Sequence, residues 1–238
     1  MSSTTLTTRE KEIIRILEAI YPQQDRFTLI GGYAVNAYSS LPRYSVDCDL
    51  VVSKSDFQEF SDIFAQNGFK DKSKIYLNEL DGLETWKFKK FVNDEAVTID
   101  LLLDGVKCRQ TEATWTEKEV KSSASDRKVV GVSGSVTSSV VSKELLLAMK
   151  LHSGRDADLR DATMLMDSID WTAVEKFSNR GNVRKVIDQL TNNLAKIKKS
   201  NFEQELKAYF SSKDLQGTRI EWAYANIAKL KELLQSNH

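Results

Sequence analysis

The chain has 238 residues, with 34 basic and 34 acidic side chains and 41% hydrophobic residues. This composition is typical of a globular protein with one large or two small domains, and the neutral charge balance argues against coating nucleic acid through bulk positive charge. Two cysteines and two histidines are too few for a disulfide scaffold or a Cys- and His-rich metal site. With no apolar run as long as a membrane span and no recognisable signal peptide, we expect a cytoplasmic protein without a membrane partner.

The first seventy residues predict helices that alternate with strands. Apolar side chains at helical spacing indicate the helices, and short runs of β-branched and aromatic residues indicate the strands. The first strand ends at a glycine pair, and Asn67-Gly68 is a typical helix end. In chain order the predicted elements are a helix over 10–20, a strand over 27–30, a helix over 33–38, a strand over 45–53 and a helix over 55–66.

The region from 74 to about 132 changes to β-prone runs, which continue the first two strands as a mixed sheet. The predicted strands are 75–77, 85–92, 97–103 and 128–132, with turns at Asn93-Asp94 and Asp104-Gly105. After a Ser-rich stretch over 133–142, which we interpret as a boundary, the apolar period becomes helical. The predicted helices are 143–153, 157–167, 172–178, 183–196, 202–210 and 218–234.

These patterns predict an α+β fold, a mixed β-sheet with flanking helices followed by a helical C-terminal domain. The predicted domains are 1–138 and 139–238.

Three aspartates carry the main chemical signal. Asp47 and Asp49 lie two residues apart on a predicted strand, and Asp100 lies on a later strand. Because residues two apart on a strand project from one face, the first two carboxylates are expected side by side, with Cys48 directed into the core.

A second pair with the same spacing, Asp156 and Asp158, lies in a predicted helix. There the spacing turns the side chains about 200° away from each other. Only the pair on the strand is therefore expected to converge on one ion.

Grouped carboxylates repel each other unless a cation neutralises them. Oxygen ligands without His or Cys select Mg²⁺ or Mn²⁺, which also binds phosphate oxygens. We therefore predict a metal site at Asp47, Asp49 and Asp100. Gly31 and Gly32 complement it, because a turn without Cβ atoms lets phosphates approach backbone N–H groups at a helix N-terminus. The combination predicts binding of a nucleoside triphosphate with a metal ion.

These residues resemble the DNA polymerase β-like nucleotidyltransferase superfamily, and within it the AbiEii type found in abortive-infection toxin–antitoxin pairs. The resemblance rests on four motifs over roughly 25–165. They are Leu29-Ile-Gly-Gly-Tyr-Ala-Val, Arg43-Tyr-Ser-Val-Asp-Cys-Asp-Leu, Thr98-Ile-Asp-Leu, and the helical series Lys150, Arg155, Asp158 and Asp161. The chain departs from the family in having Gly32 where many active relatives have Ser, and Ala157 where the family often has Lys.

The resemblance implies a nucleotidyltransferase that moves an NMP from an NTP to a hydroxyl of an RNA or protein acceptor, with a cognate toxin or antitoxin protein as partner. It implies that Asp47, Asp49 and Asp100 hold two metal ions and that Asp100 acts as ligand or general base. The NTP-binding residues it implies are Gly31, Gly32, Arg43, Ser45, Lys150, Arg155 and Asp158.

Less specific interpretations stay open. The glycine pair alone is typical of an ordinary turn, and Asp47 and Asp49 alone are compatible with surface carboxylates at a strand end. The series from Lys150 to Asp161 is also typical of a solvated helix face with i,i+3 and i,i+4 ion pairs. The alternative function is a non-catalytic nucleotidyltransferase-like module that binds a partner protein or nucleotide. A complete carboxylate triad favours the enzyme, because a binding module has no need of it.

Overall fold

The computed structural model describes residues 3–75, 83–212 and 217–236. The chain forms two compact units, one built from Met1–Val106 with Trp115–Ser142 and the other from Lys107–Thr114 with Lys143–His238. The first unit thus extends beyond the predicted boundary at 138, and a short segment from the middle of the chain joins the second. Among the described residues, no helix has both the length and the apolar character needed to cross a bilayer.

The first unit is built around a seven-stranded sheet with the strand order β3-β4-β5-β2-β1-β9-β8. Its helices are α1 Ser3–Ile20, α2 Gly31–Val35, α3 Phe57–Gln66 and α4 Glu117–Ser122. The sheet strands are β1 Phe27–Ile30, β2 Asp47–Val52, β3 Asp71–Ile75, β4 Glu84–Val92, β5 Glu95–Leu103, β8 Ser125–Val130 and β9 Ser135–Val140. Strands β6 Gly105–Cys108 and β7 Ala113–Thr116 form a separate pair.

The sheet mixes parallel and antiparallel neighbours. β2 is parallel to β5 and β1 is parallel to β9, whereas β1–β2, β3–β4, β4–β5 and β8–β9 are antiparallel. The parallel pairing sets Asp49 opposite Asp100, and the antiparallel pairing sets Lys87 opposite Asp100. Three neighbouring strands therefore contribute to one small area of the sheet.

The β4–β5 hairpin fixes one of these registers through a two-residue turn. Asn93 and Asp94 connect the strands with φ values of 49° and 63°, and the pairing starts at once between Val92 and Glu95. Positive φ at both turn residues is the property of a type I′ hairpin, which favours Asn and Asp. The predicted turn at Asn93-Asp94 is confirmed.

One face of the sheet is covered by apolar helix surfaces. α1 buries Ile13, Ile16, Leu17 and Ile20 completely, and α3 packs Phe60 on Phe27 and Phe64 on Phe88 with ring centroids 6.0 and 5.0 Å apart. Phe88 lies next to Lys87 on β4, so the two side chains point to opposite faces. The predicted carboxylates are thus on the face that does not carry Phe88.

The second unit consists of helices and the 107–114 segment. Its helices are α5 Lys143–Ser153, α6 Asp156–Leu165, α7 Trp171–Ser178, α8 Val183–Ile197, α9 Phe202–Tyr209 and α10 Gly217–Ser236. α10 packs on α8, and α5 packs on α6, α7 and α8. A shared core of leucine and other aliphatic side chains holds them together, including Leu147, Leu190 and Ile227.

The predicted fold class is confirmed: the chain has an α+β fold with a mixed sheet, flanking helices and C-terminal helices. Part of the predicted strand 75–77 lies outside the described residues. The Ser-rich stretch over 133–142, interpreted as a boundary, contains β9, which pairs with both β1 and β8. Its alternation of Val136, Ser138 and Val140 on the buried side is a strand pattern in which small hydroxyl side chains stand among valines.

Candidate active site

The Gly31–Gly32 turn is shaped by the side chains that lie against it. Gly31 has a φ of 67°, which side chains rarely adopt, and a Cβ there would overlap the Asp49 carboxylate. A Cβ on Gly32 would overlap the Ser45 hydroxyl and lie 3.0 Å from Arg43 Nη2. Both positions therefore need glycine for close approach. The turn, Asp49, Ser45 and Arg43 are brought together in one unit, as the sequence motif predicts.

The helix that follows this turn is short. α2 has five residues, Gly31–Val35, and its N-cap Ile30 makes no side-chain capping bond. A helix this short has only a small macrodipole, which contributes little to anion binding. The features left for an anion are the backbone N–H groups of the first turn, which have no partner within the helix, and the nearby Arg43 guanidinium.

Two buried residues of the α2 region fix the loop that leads into β2. Asn36 Nδ2 donates to the Arg43 carbonyl at 2.8 Å, and Arg43 N donates to Asn36 Oδ1 at 3.2 Å. The Tyr33 hydroxyl donates to the Ser45 carbonyl at 3.2 Å. Both Asn36 and Tyr33 are 1% exposed. Rigid packing of these two side chains thus sets the positions of Arg43 and Ser45.

The three predicted carboxylates stand on adjacent strands. Asp47 and Asp49 lie on the same face of β2, because Cys48 between them is fully buried and projects to the other side. Burial raises the pKa of the Cys48 thiol, and the neighbouring aspartates raise it further. Asp100 occupies the position of β5 directly beside Asp49. The prediction that Cys48 belongs to the core is confirmed.

A lysine joins two of the carboxylates. Lys87 Nζ lies 3.3 Å from Asp47 Oδ1 and 3.2 Å from Asp100 Oδ1. Thr98, beside Asp47 in the β2–β5 register, donates its hydroxyl to Asp47 Oδ1. We refer to Asp47, Asp49, Asp100 and Lys87 as the carboxylate cluster.

Burial and charge act in opposite directions on the pKa values in this cluster. Burial raises the pKa of Asp100, an effect that Lys87 only partly offsets. Burial lowers the pKa of Lys87, but the negative charges of Asp100 and Asp47 outweigh it and leave the pKa raised. The ammonium thus stays protonated at neutral pH.

The donor chemistry of the cluster suits a hard divalent cation. All three acids offer carboxylate oxygens, and Asp100 Oδ1 is buried without a well-aligned hydrogen bond, despite its contact with Lys87. The positions of the three carboxylates, however, do not form a set of ligands around one point. Over 3–75, 83–212 and 217–236, no group of three or more His, Cys, Asp or Glu side chains is arranged to hold a metal ion. The metal site at Asp47, Asp49 and Asp100 therefore stays a prediction, and Lys87 contacts two of its three predicted ligands.

The downstream motif forms a second group of charges in the helical unit. Lys150 Nζ lies 2.6 Å from Asp158 Oδ1 and 2.9 Å from Asp161 Oδ2. Arg155 Nε donates to Asp158 Oδ2, as does Ser153 Oγ, each at 2.6 Å. We call Lys150, Arg155, Asp158 and Asp161 the ion cluster.

The ion cluster is mostly buried. The side chains of Lys150, Asp158 and Asp161 are 9%, 4% and 0% exposed, whereas that of Arg155 is 73% exposed. Burial raises the pKa of Asp158, but Lys150 and Arg155 lower it to a net value of about 2. Only the Arg155–Asp158 contact matches the i,i+3 pairing of a solvated face. Triphosphate binding by Lys150, Arg155 and Asp158 stays a prediction, since the Lys150 ammonium contacts two carboxylates here.

The other aspartate pair behaves as its helical position predicts. Asp156 and Asp158 both lie in the first turn of α6. Asp156 is 66% exposed and contacts Lys196 at 2.8 Å, whereas Asp158 points into the ion cluster. The expectation that these two carboxylates diverge is confirmed.

His152, on the same helix as Lys150, is 1% exposed. Its Nε2 lies 3.0 Å from the Ser178 carbonyl and its Nδ1 lies 2.6 Å from Thr111 Oγ1. Because a carbonyl only accepts, Nε2 carries the proton and Nδ1 accepts from the threonine hydroxyl. Burial lowers the pKa of His152 to about 4, despite the Ser178 carbonyl, which raises it. The interpretation as a packed histidine agrees with this environment.

Four residues of the first unit were missed by the sequence analysis: Tyr33, Asn36, Lys87 and Thr98. Lys87 and Thr98 become neighbours of the aspartates only through strand register, which no local pattern reveals. The one available signal was that Lys87 alternates with Trp86 and Phe88 on a predicted strand, which directs it to the opposite face. Asn36 follows the glycine pair at helical spacing and was read only as part of a helix.

No protein-family model matches the chain, and no curated protein matches it. Among solved structures, the Helicobacter pylori protein JHP933 is 13% identical, with 100% of this chain and 94% of that chain covered and a TM-score of 0.49. A second H. pylori protein, provisionally named a nucleotidyltransferase, is 15% identical, with 100% of this chain and 97% of that chain covered and a TM-score of 0.48. The antibiotic-resistance factor ANT(2'')-Ia is 16% identical, with 100% of this chain and 98% of that chain covered and a TM-score of 0.39. Likeness at these identities and scores assigns no activity or substrate to this chain.

Proposed function

We propose that the protein is a metal-dependent nucleotidyltransferase of the cytoplasm. The observation that carries the proposal is the convergence within one unit of the glycine turn and the carboxylates, with Asp49 packed against Gly31. A backbone surface for phosphate beside a group of carboxylates is the combination that nucleotidyl transfer needs. The left-handed φ of Gly31 and its lack of a Cβ let the turn lie directly against the Asp49 carboxylate.

In the proposed reaction, an acceptor hydroxyl oxygen forms a bond to the α-phosphorus of an NTP while the bond to the departing pyrophosphate breaks. Asp100 takes the hydroxyl proton, directly or through water. Arg43 and the backbone N–H groups of the Gly31–Gly32 turn hold phosphate oxygens, and Ser45 orients the turn. Mg²⁺ or Mn²⁺, held by Asp47, Asp49 and Asp100, would supply charge neutralisation at the phosphates. Lys150, Arg155 and Asp158 are proposed as further NTP contacts.

The acceptor is proposed as an RNA end or a protein side chain. The neutral net charge favours a short or locally bound acceptor, because a long nucleic acid is held by many phosphate contacts. An AbiEii-type role in a toxin–antitoxin pair, with a cognate toxin or antitoxin as partner, is part of the proposal and rests on the motifs alone.

One observation favours a second candidate function. The Lys87 ammonium contacts both Asp47 and Asp100 and offsets part of their negative charge, so it stabilises the cluster as a structural feature. The alternative is accordingly a non-catalytic module that binds a nucleotide or a partner protein.

The test measures NTP binding by calorimetry, with each NTP in the presence and absence of Mg²⁺. We expect Mg²⁺-dependent binding to wild type and at least a tenfold loss in Asp47→Asn/Asp49→Asn. The charge-matched control is Asp62→Asn/Asp71→Asn, which changes two exposed carboxylates of the same unit and should bind as wild type does.

The accompanying assay follows transfer of label from the α-phosphate of each NTP to RNA or to protein. Mg²⁺-dependent transfer that the Asp47→Asn/Asp49→Asn variant loses supports the enzyme. Nucleotide binding that is independent of Mg²⁺ and of both aspartates, with no transfer to either acceptor class, supports the binding module and contradicts the enzyme.

A further inference from the structure

Lys87 is the residue of the carboxylate cluster that the proposed reaction does not use. It lies on β4, which β5 separates from β2, and its ammonium contacts both Asp47 and Asp100. Its side chain is 30% exposed, so it is held in the cluster and still reaches solvent. The side chain is a flexible four-carbon stem with a compact charge, which can swing away without moving the backbone.

The atoms that Lys87 contacts are those that a shared metal ion would use. Both contacts are to Oδ1 atoms, one of Asp47 and one of Asp100, at 3.3 and 3.2 Å. A Mg²⁺ ion binds such oxygens at roughly 2.0–2.1 Å. An ion bound to both oxygens would therefore lie within a few ångströms of the ammonium, and two cations at that distance repel strongly in a partly buried site.

We infer that Lys87 is a built-in cation that competes with a divalent metal for Asp47 and Asp100. In the metal-free protein Lys87 relieves the repulsion between the two carboxylates, and a metal ion that bridges them displaces it. The residue thus sets the metal affinity of the site and keeps the cluster ordered when the metal is absent. This inference rests on the proposed role of the aspartates as metal ligands.

The test compares Lys87→Met with Lys89→Met. Methionine keeps most of the length of the side chain and removes the charge. Lys89 is a matched control, because it lies two residues along β4 on the same face, and its ammonium sits 5.3 Å from the centre of the Phe91 ring. Mn²⁺ affinity is measured without nucleotide, from the EPR signal of free Mn²⁺ during titration.

We expect Lys87→Met to bind Mn²⁺ at least tenfold more tightly than wild type and Lys89→Met to differ from wild type by less than twofold. Adding Asp47→Asn to Lys87→Met should abolish the gain, which assigns the ion to this cluster. Lys87→Gln makes the same comparison with a polar neutral side chain, and circular dichroism verifies the fold of each variant.

The possible failures are distinguishable. Equal Mn²⁺ affinity of wild type and both neutral Lys87 variants overturns the competition and leaves the proposed enzyme intact. Weaker binding in those variants overturns it as well, since Lys87 would then assist the metal. Absence of Mn²⁺ binding in every variant overturns the competition, whereas the metal-dependent function is overturned only if NTP binding is also independent of Mg²⁺.

Discussion

The two charged groups of this protein use similar side chains in opposite ways. In the ion cluster of the helical unit, two cations face two carboxylates, and three of the four side chains are nearly inaccessible. In the carboxylate cluster of the sheet unit, one ammonium contacts two aspartates that lie beside a third, and Asp47, Lys87 and Asp100 are 40%, 30% and 18% exposed. The first group has matched charges in a closed environment, whereas the second has more acid than its lysine balances and is open to water.

This difference separates a structural role from a binding role. Charges that are matched and desolvated hold each other in place, and any ligand must compete with partners that water cannot replace. Carboxylates that are not fully balanced and are partly solvated can bind a further cation from solution. The comparison therefore favours the sheet unit for the proposed metal site and indicates that the ion cluster is first of all part of the helical core.

The largest expected effect comes from Lys150→Met. Removing the ammonium leaves Asp158 and Asp161 buried without it, and breaking a buried ion pair in this way costs about 3–5 kcal/mol. The measurement is the free energy of unfolding in urea at neutral pH. The matched control is Lys185→Met, which breaks the solvent-exposed pair with Glu112 and should cost far less, because water screens that pair. Equal losses in the two variants would contradict the structural role of the ion cluster.

The second largest expected effect is a loss of folding stability in acid, caused by the buried His152. Its pKa is 6.5 in the unfolded chain and about 4 when folded, so the unfolded state binds a proton first as the pH falls. Stability is therefore unaffected above pH 6.5 and is lost as the pH falls from 6.5 to 4, by up to about 3 kcal/mol.

The measurement for His152 is the unfolding free energy at a series of pH values between 7.5 and 4.5, for wild type and His152→Gln. The variant should lose this component of the pH dependence, and NMR should show no protonation of the His152 ring until near pH 4. A constant difference between wild type and variant across the window would refute the assignment.

The smallest effects have opposite signs and compare the two clusters directly. The pKa of Asp158 is lowered to about 2, so its ionised form stabilises the fold and Asp158→Asn should cost about 2 kcal/mol. The pKa of Asp100 is raised, mainly by burial, so folding disfavours its ionised form and Asp100→Asn should leave stability unchanged or raise it slightly. Unfolding in EDTA at pH 7 measures both. A large loss in Asp100→Asn would show that the sheet cluster is structural too.

Much of the fold could be predicted from local pattern. The amphipathic period of α1 and of the C-terminal helices, and the turn at Asn93-Asp94, are properties of adjacent residues. The short helix α4 was missed, although Thr116 and Glu119 carry the spacing of a capping box and do form one. β9 was missed because serine is common in loops, and only pairing with β1 and β8 explains why it forms a strand here.

The candidate site, too, has features that the sequence predicted and features that it did not. The resemblance implied that Gly31, Asp49 and Ser45 belong to one site, and the antiparallel register of β1 and β2, which sets Ile30 opposite Asp49, brings the turn to that aspartate. The contact of Lys87 with Asp47 and Asp100 depends on which strands are neighbours and in which register, and those are global properties of the sheet. Burial of the ion cluster was also not predictable, because Lys150 on α5 reaches Asp158 and Asp161 on α6, and no local spacing reveals how two helices pack.

The Asn93-Asp94 turn has a consequence for how this site tolerates change. The turn is two residues long and fixes the register that sets Lys87 opposite Asp100. One inserted or deleted residue there would slide β4 by a single position and bring an aromatic neighbour of Lys87 to the carboxylates in its place, because a one-residue slip exchanges the two faces of a strand. In related chains, the length of this hairpin loop should therefore indicate whether a lysine lies beside the carboxylates more reliably than the residue at any single aligned position does.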